Sequence, residues 1–186
     1  MSSNLTTNTI EALLFGAGRP LRLSEIRSLL ENNGIYEDLP SIKISINAIE
    51  ERYENTSLEI KEVSSGYRLQ IKESFSSCLS NLWNEKTPRI SKALMETISI
   101  IAYKQPVTRG DIEDIRGVHV GTSSIRALLE RDWIKVSGFR DVPGRPALYV
   151  TTRQFLDDFN MKNISSLPEL PEPIDHSSEA FLSEVI

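Results

Sequence analysis

The sequence holds one cysteine, Cys78, and two histidines, His119 and His176, among 186 residues. An internal disulfide is impossible, a cysteine-based zinc cage is excluded, and the two histidines stand too far apart to share ligand spacing. No apolar run approaches the roughly 20 residues of a membrane span. The opening residues lack the basic start, apolar stretch and small-residue cleavage site of a secretory signal. The expectation is a cytoplasmic protein with no membrane attachment, no metal and no cofactor. Three Asn-X-Ser/Thr matches, starting at Asn4, Asn55 and Asn163, carry no weight without a secretory route.

A large excess of one charge is also missing. Basic residues number 21 and acidic residues 26, a net charge of −5. Residues 10–78 are slightly acidic, residues 88–160 slightly basic, and residues 161–186 carry one lysine against five acidic residues. This last segment sets Pro168, Pro171 and Pro173 among Ser and Glu, a composition that cannot bury enough apolar area to offset its ordering entropy. Residues 161–186 are expected to form a largely disordered acidic tail, and residues 1–9 a flexible N-terminus.

Catalytic constellations are absent from the sequence pattern. The glycines between Gly138 and Gly144 form neither GxxxxGK[ST] nor GxGxxG, and no base is paired with a nucleophile. Cys78, beside Phe75, Leu79 and Leu82, reads as a small buried hydrophobe. His119, in the turn Gly117–Gly121, reads as a surface or capping residue. Glu50-Glu51 and Asp157-Asp158 read as solvated helix faces. No enzymatic activity is expected.

What is present is periodicity. Ile10, Leu13 and Leu14 share a helical face that ends at Gly16–Pro20. Ser24 offers a cap to a second face of Ile26, Leu29 and Leu30, and Ile42, Ile46, Ile49 and Tyr53 mark a third. Leu58 and Ile60, then Tyr67, Leu69 and Ile71, alternate with polar residues around Ser64-Ser65-Gly66, the pattern of a hairpin with one wet face. The same order recurs: a face of Leu94, Ile98, Ile101 and Ala102; a helix with Ile112 and Ile115 that Thr108 can cap; a helix with Ile125, Leu128 and Leu129; and a hairpin from Ile134 to Val150. An offset of 86 aligns Pro20 with Pro106, Leu21 with Val107, Glu25 with Asp111 and Ile26 with Ile112. Either the chain is an internal repeat, or two unrelated helix starts look alike.

The pattern predicts an α+β fold of two tandem winged-helix domains, each with three helices and a β-hairpin wing. The first domain is placed at residues 10–78 and the second at 91–160. Between them, at 79–90, lies a linker helix with Phe75, Leu79 and Leu82 on its face, stopped before Pro88. A helix-turn-helix invites a DNA-binding reading, yet Lys43 faces Glu50 and Glu51 on the third helix. In the second domain Glu130, Asp132 and Asp141 offset Arg126, Arg140 and Arg145. The loop Pro143-Gly144-Arg145-Pro146 is either a tight wing turn or a stiffened platform presenting Arg145.

The residues Ile100–Arg109, Ile112–Val118, Leu128–Arg131 and Asp141–Tyr149 fall in one order and spacing that strongly resembles the bacterial segregation and condensation protein B family. Glu11–Phe15 and Gly66–Leu69 carry the likeness into the first half, and Thr151-Thr152, Phe155-Leu156 and Leu167-Pro168 beyond the second. Val150 and Asn160-Met161 stand where many members have Gly and Gly-Leu. The resemblance implies two winged-helix domains and homodimerisation chiefly through the first. It also implies binding to the kleisin subunit (segregation and condensation protein A) of a bacterial condensin, and through it an indirect link to the SMC ATPase, with DNA contact weak or indirect and a cytoplasmic, nucleoid-associated location. Tyr103, Gln105, Arg145 and Tyr149 are the candidate kleisin contacts, and Leu13, Leu14 and Phe15 the candidate dimer contacts. The competing reading is a winged-helix transcription regulator.

Overall fold

The computed structural model describes residues 2–82 and 90–170. Its elements run α1 (Ser2–Ala17), α2 (Leu23–Asn32), α3 (Leu39–Tyr53), β1 (Leu58–Val63), β2 (Gly66–Ile71), a 3-10 turn at Glu73–Phe75 and α4 (Ser76–Leu82). They continue with α5 (Lys92–Lys104), α6 (Arg109–Arg116), α7 (Thr122–Glu130), β3 (Ile134–Phe139), β4 (Ala147–Thr151), α8 (Arg153–Asp158) and a 3-10 turn at Ile164–Ser166. Helix, helix, helix, hairpin thus occurs twice, and each hairpin is a separate antiparallel pair.

In the first module Ile10, Leu14, Ile26, Leu30, Ile42, Ile46 and Ile49 converge in one core, with Ile60 and Tyr67 as the wing's contribution. The spacings of Ile10 and Leu14 and of Ile42, Ile46 and Ile49 bring these side chains onto single helical faces. Each contributes roughly 1.5–3 kcal/mol on burial. The second core is built the same way from Leu94, Ile98, Ile101, Ile112, Val120, Ile125 and Leu128, then sealed by Trp133, Phe155 and Met161. Ile115 and Leu129, expected on buried faces, are exposed. Ile112 and Leu128, each 0% exposed, carry the inward faces of α6 and α7.

Capping separates the two modules in detail. Thr108 and Asp111 form a reciprocal capping box at the start of α6, and Gly117, in the left-handed region, ends that helix. Ser24 is not a cap: α2 starts one residue earlier, after an extended Arg22 that makes no side-chain cap bond. Asp38 caps α3 by accepting a hydrogen bond from the Ser41 amide.

The offset of 86 has a structural counterpart. Leu21 and Tyr67 exchange two backbone hydrogen bonds of 2.8 Å, and Val107 and Tyr149 exchange bonds of 3.2 and 2.8 Å. In both modules the segment after the first helix is thereby bridged to the second strand of the wing. The repeat reading holds over the look-alike reading, because the aligned residues Leu21 and Val107 occupy the same place.

Several boundaries differ from expectation. Residues 2–9 belong to α1: Thr6 and Thr7 are buried, and Thr6 donates a hydrogen bond to Glu37. Their short polar side chains resemble a loop in composition, but they lie on the turns below Ile10. Residues 161–170 pack on the second module. Met161 is buried, Leu167 rests on the core, and Tyr103 donates a hydrogen bond to the Pro168 carbonyl. Helix α4 starts at Ser76, and the remainder of the expected linker at 83–89, like 171–186, lies outside the described residues. Cys78 is exposed on α4, away from either core. Asn160 takes a left-handed φ of 56°, a conformation that Asn tolerates better than most residues.

Gly66 is the most constrained glycine. At φ +138° it lies so close to the first bridge that an added Cβ would sit 2.2 Å from the Leu21 carbonyl oxygen. Gly144, at φ +86°, has open space around its Cα. Gly66→Ala is expected to cost at least about 2–3 kcal/mol in denaturant unfolding, and Gly144→Ala about 1–2 kcal/mol. Equal costs would contradict the close approach.

Candidate partner-binding surfaces

The second wing is anchored before it is presented. Arg140, at the base of its loop, donates from Nη1 to Asp111 Oδ1 (2.8 Å) and from Nη2 to Asp111 Oδ2 (2.6 Å). The same carboxylate accepts from the Thr108 amide at 2.8 Å, so one aspartate caps α6 and holds the wing. The Arg140 guanidinium, then the Thr108 amide, hold the Asp111 carboxyl down at about 2. Above this anchor the Arg145 amide donates to the Val142 carbonyl (2.9 Å) and the Arg140 amide to the Pro146 carbonyl (2.9 Å). Arg145 itself takes φ 39°, an uncommon conformation for a side chain of its size. Its guanidinium is exposed and makes no ion pair among the described residues. The loop is both a wing turn and a platform for this cation.

Gln105 and Tyr149 lie at the other end of the wing's second strand. The Gln105 carboxamide oxygen accepts from the Thr151 amide (2.7 Å) and the Thr151 hydroxyl (3.0 Å). That oxygen is committed within the module, and Gln105 positions β4 instead of offering it to a partner. Tyr149 bridges to Val107 through its backbone and packs its half-buried ring on the core. Tyr103 is held elsewhere, under the 161–170 segment, at the edge of a cleft of about 760 Å³ between the first wing and the second module. The four residues therefore form two places: Arg145, Tyr149 and Gln105 on or beside the wing, and Tyr103 in the cleft. The first strand β3 exposes Val136 and Phe139, and among the described residues its outer edge has no strand partner.

On the first module, Leu14 is only 2% exposed and belongs to the core. It is withdrawn as a surface contact, since the i, i+4 pair with Ile10 turns it inward. Leu13 is half-buried against the same core, whereas Phe15 is 73% exposed. Leu5, in the segment expected to be flexible, is 62% exposed and lies on the side of α1 shared with Ala12 and Phe15. The signal was available: the 5, 12, 15 spacing is the complement of 6, 10, 14 on one helix.

The model of the family described as segregation and condensation complex subunit ScpB matches residues 8–170. The chain belongs to the ScpB family. It is 44% identical over 167 residues to a segregation and condensation protein B homolog of Coxiella burnetii, covering 89% of this chain and 79% of that one. To the segregation and condensation protein B of Clostridium tetani it is 39% identical over 172 residues, covering 91% and 88%. A solved structure of a dimer of an ScpB N-terminal domain complexed with ScpA peptide is 26% identical, with a TM-score of 0.37, and covers 46% of this chain and 91% of that one.

The arginines of α6 and α7 in this ScpB family member are paired with carboxylates. Arg109 pairs with Glu113 at 3.1 Å, Arg116 with Glu96 at 2.9 Å and Arg126 with Glu130 at 2.8 Å. Glu113 also accepts from the Val120 amide, and this bond, then Arg109, lowers its carboxyl below the usual range. His119 lies against both: Nδ1 is 2.8 Å from Glu113, and Arg109 Nη2 is 2.8 Å from Nε2 and 3.4 Å from Nδ1. Among the described residues no group of three His, Cys, Asp or Glu is placed to hold a metal, and no helix is long and apolar enough to cross a membrane.

The Asp111 anchor has a defined pH signature. Its carboxyl is depressed from 3.8 to about 2 in the folded chain, so its stabilisation is fully present above the unfolded value and is lost as pH falls through the folded value. Asp111→Asn should therefore destabilise the second module at pH 7, and the deficit should begin to shrink below about pH 4. Chemical denaturation at pH 3 and pH 7 reads this. A deficit independent of pH would contradict the charged anchor.

Proposed function

We propose that this chain is a non-enzymatic accessory subunit of a bacterial SMC–kleisin condensin. In this reading it dimerises through the first module and captures a segment of the kleisin on the second wing, supporting chromosome condensation and segregation in the cytoplasm at the nucleoid. Membership of a family of segregation and condensation subunits supports the setting. The observation that carries the mode of action is the second wing. A cation with no ion pair among the described residues, on a loop whose base is locked by Arg140 and Asp111, favours gripping a polypeptide without a large ordering cost. Exposed Val136 and Phe139 on an unpaired strand edge suit an extended segment that adds as a further strand, with Arg145 and Tyr149 as anchors. Tyr103 contributes from the cleft. The SMC ATPase is reached only through the kleisin.

The dimer contact is assigned to the stripe of Leu5, Ala12 and Phe15 on α1, with half-buried Leu13 at its margin. Two large apolar side chains exposed on one helical face are suited to an isologous contact, in which the same face meets its copy. The regulator reading loses support because the arginines of α6 and α7 are already matched to carboxylates, so these two helices offer no uncompensated arginine to a phosphate backbone.

Arg145→Glu is expected to lower the affinity for purified kleisin by at least about tenfold without changing the thermal transition. Phe15→Glu should shift the isolated chain from dimer to monomer in sedimentation, leaving the wing intact. Unchanged kleisin affinity in the first variant, or an unchanged sedimentation coefficient in the second, would refute the corresponding assignment.

A further inference from the structure

The tip of the first wing is seated on the second module through polar groups that neither core requires. The Ser65 amide donates to Asp157 Oδ1 at 2.9 Å, and the Ser64 amide donates to the Met161 carbonyl at 3.0 Å. Arg68 Nη2 donates to the Asp157 carbonyl at 3.1 Å and to Asn160 Oδ1 at 2.6 Å, while Lys162 pairs with Glu62 at 2.9 Å. Asp157 is only 6% exposed, and the hydrogen bond to its carboxylate comes from the Ser65 amide of the other module. Val63, at the end of β1, is 2% exposed yet is a member of neither core.

A carboxylate is costly to bury unless a donor meets it, and here the donor is a backbone amide of a separate module. Docked, the amide and the carboxylate satisfy each other; undocked, water satisfies both. Each module keeps its own apolar core in either state. A small, polar contact between two self-sufficient modules is the kind that opens without unfolding. It also closes one side of the cleft of about 760 Å³, where Glu59, Lys61 and Gln70 of the first wing face Met95, Tyr103 and Phe159 of the second module.

We propose that the contact of Ser64, Ser65 and Arg68 with the 157–161 segment is a reversible latch that fixes the orientation of the two modules and so sets the shape of the cleft. As a regulator of partner access at Tyr103 it rests on the kleisin reading; as a conformational device it does not. When latched, the cleft presents one composite wall-and-floor surface. When unlatched, the two surfaces part and a segment can meet only one of them.

Amide hydrogen exchange by NMR on the full chain tests this with two variants, one on each side: Arg68→Ala and Asp157→Ala. In the unmodified chain the Ser64 and Ser65 amides should be protected although they sit in a two-residue hairpin tip. In both variants their exchange should accelerate at least about tenfold while the Ile46 and Ile98 amides keep their rates, and the Met95 methyl resonance in the cleft should move. Unprotected tip amides in the unmodified chain would overturn the latch. So would acceleration shared equally with Ile46 and Ile98, which would signify general destabilisation, or a Met95 resonance that stays in place in both variants. The exchange readout contains no kleisin. Failure of the unmodified chain to bind kleisin would sink the proposed function and leave the exchange result to decide the latch.

Discussion

Two backbone hydrogen bonds between the segment after the first helix and the second strand of the wing close each module, Leu21 with Tyr67 and Val107 with Tyr149. A two-stranded hairpin alone is marginal in water. Bridged at one edge, it is held at a fixed height against three helices, and its side-chain alternation is committed: Ile60 and Tyr67 inward in the first module, Tyr149 against the core in the second. The placement of the groups carried on each wing follows from that bridge. In the first module it brings Gly66 against Leu21 and projects Ser64 and Ser65 toward Asp157. In the second it sets the strand from which Arg145 is presented.

The two wings then serve different ends. The first is turned inward, its tip lodged against the second module. The second is free, its loop base pinned by an arginine–aspartate pair and its edge strand open. Arginines on α6, α7 and the loop base are matched to carboxylates, while Arg145, like Arg131 and Arg153, has no carboxylate partner among the described residues.

The local elements were legible because they are written in short-range periodicity. Ile42, Ile46 and Ile49 mark a buried helical face by spacing alone, Leu69 and Ile71 alternate as a strand must, and the capping role of Thr108 is visible from its position. The features that escaped depend on partners distant in sequence. Thr6 and Thr7 look like loop residues until they lie over the core with Glu37 nearby. Leu14 and Phe15 are neighbours of equal hydrophobicity, and only the phase of α1 against α3 sends one inward and the other out. Cys78 sits in an apolar neighbourhood of the sequence that is not an apolar neighbourhood of the fold. Asp157 carries no local sign that it will meet an amide 92 residues away. The exposure of Arg145 was legible from the stiff Pro-Gly-Arg-Pro loop. The Asp111 anchor was not, since its partner Arg140 lies beyond α7 and β3.

The central claim is that this chain holds a polypeptide rather than reading DNA, and the most direct measurement is a pair of equilibrium titrations of the full chain at 50 and 200 mM salt. One uses the purified kleisin and the other a mixed-sequence duplex. The account predicts saturable, stoichiometric kleisin binding that changes little between the two salts, with duplex binding weak throughout. Tight duplex binding that falls steeply with salt, together with no heat or signal change on adding kleisin, would contradict it.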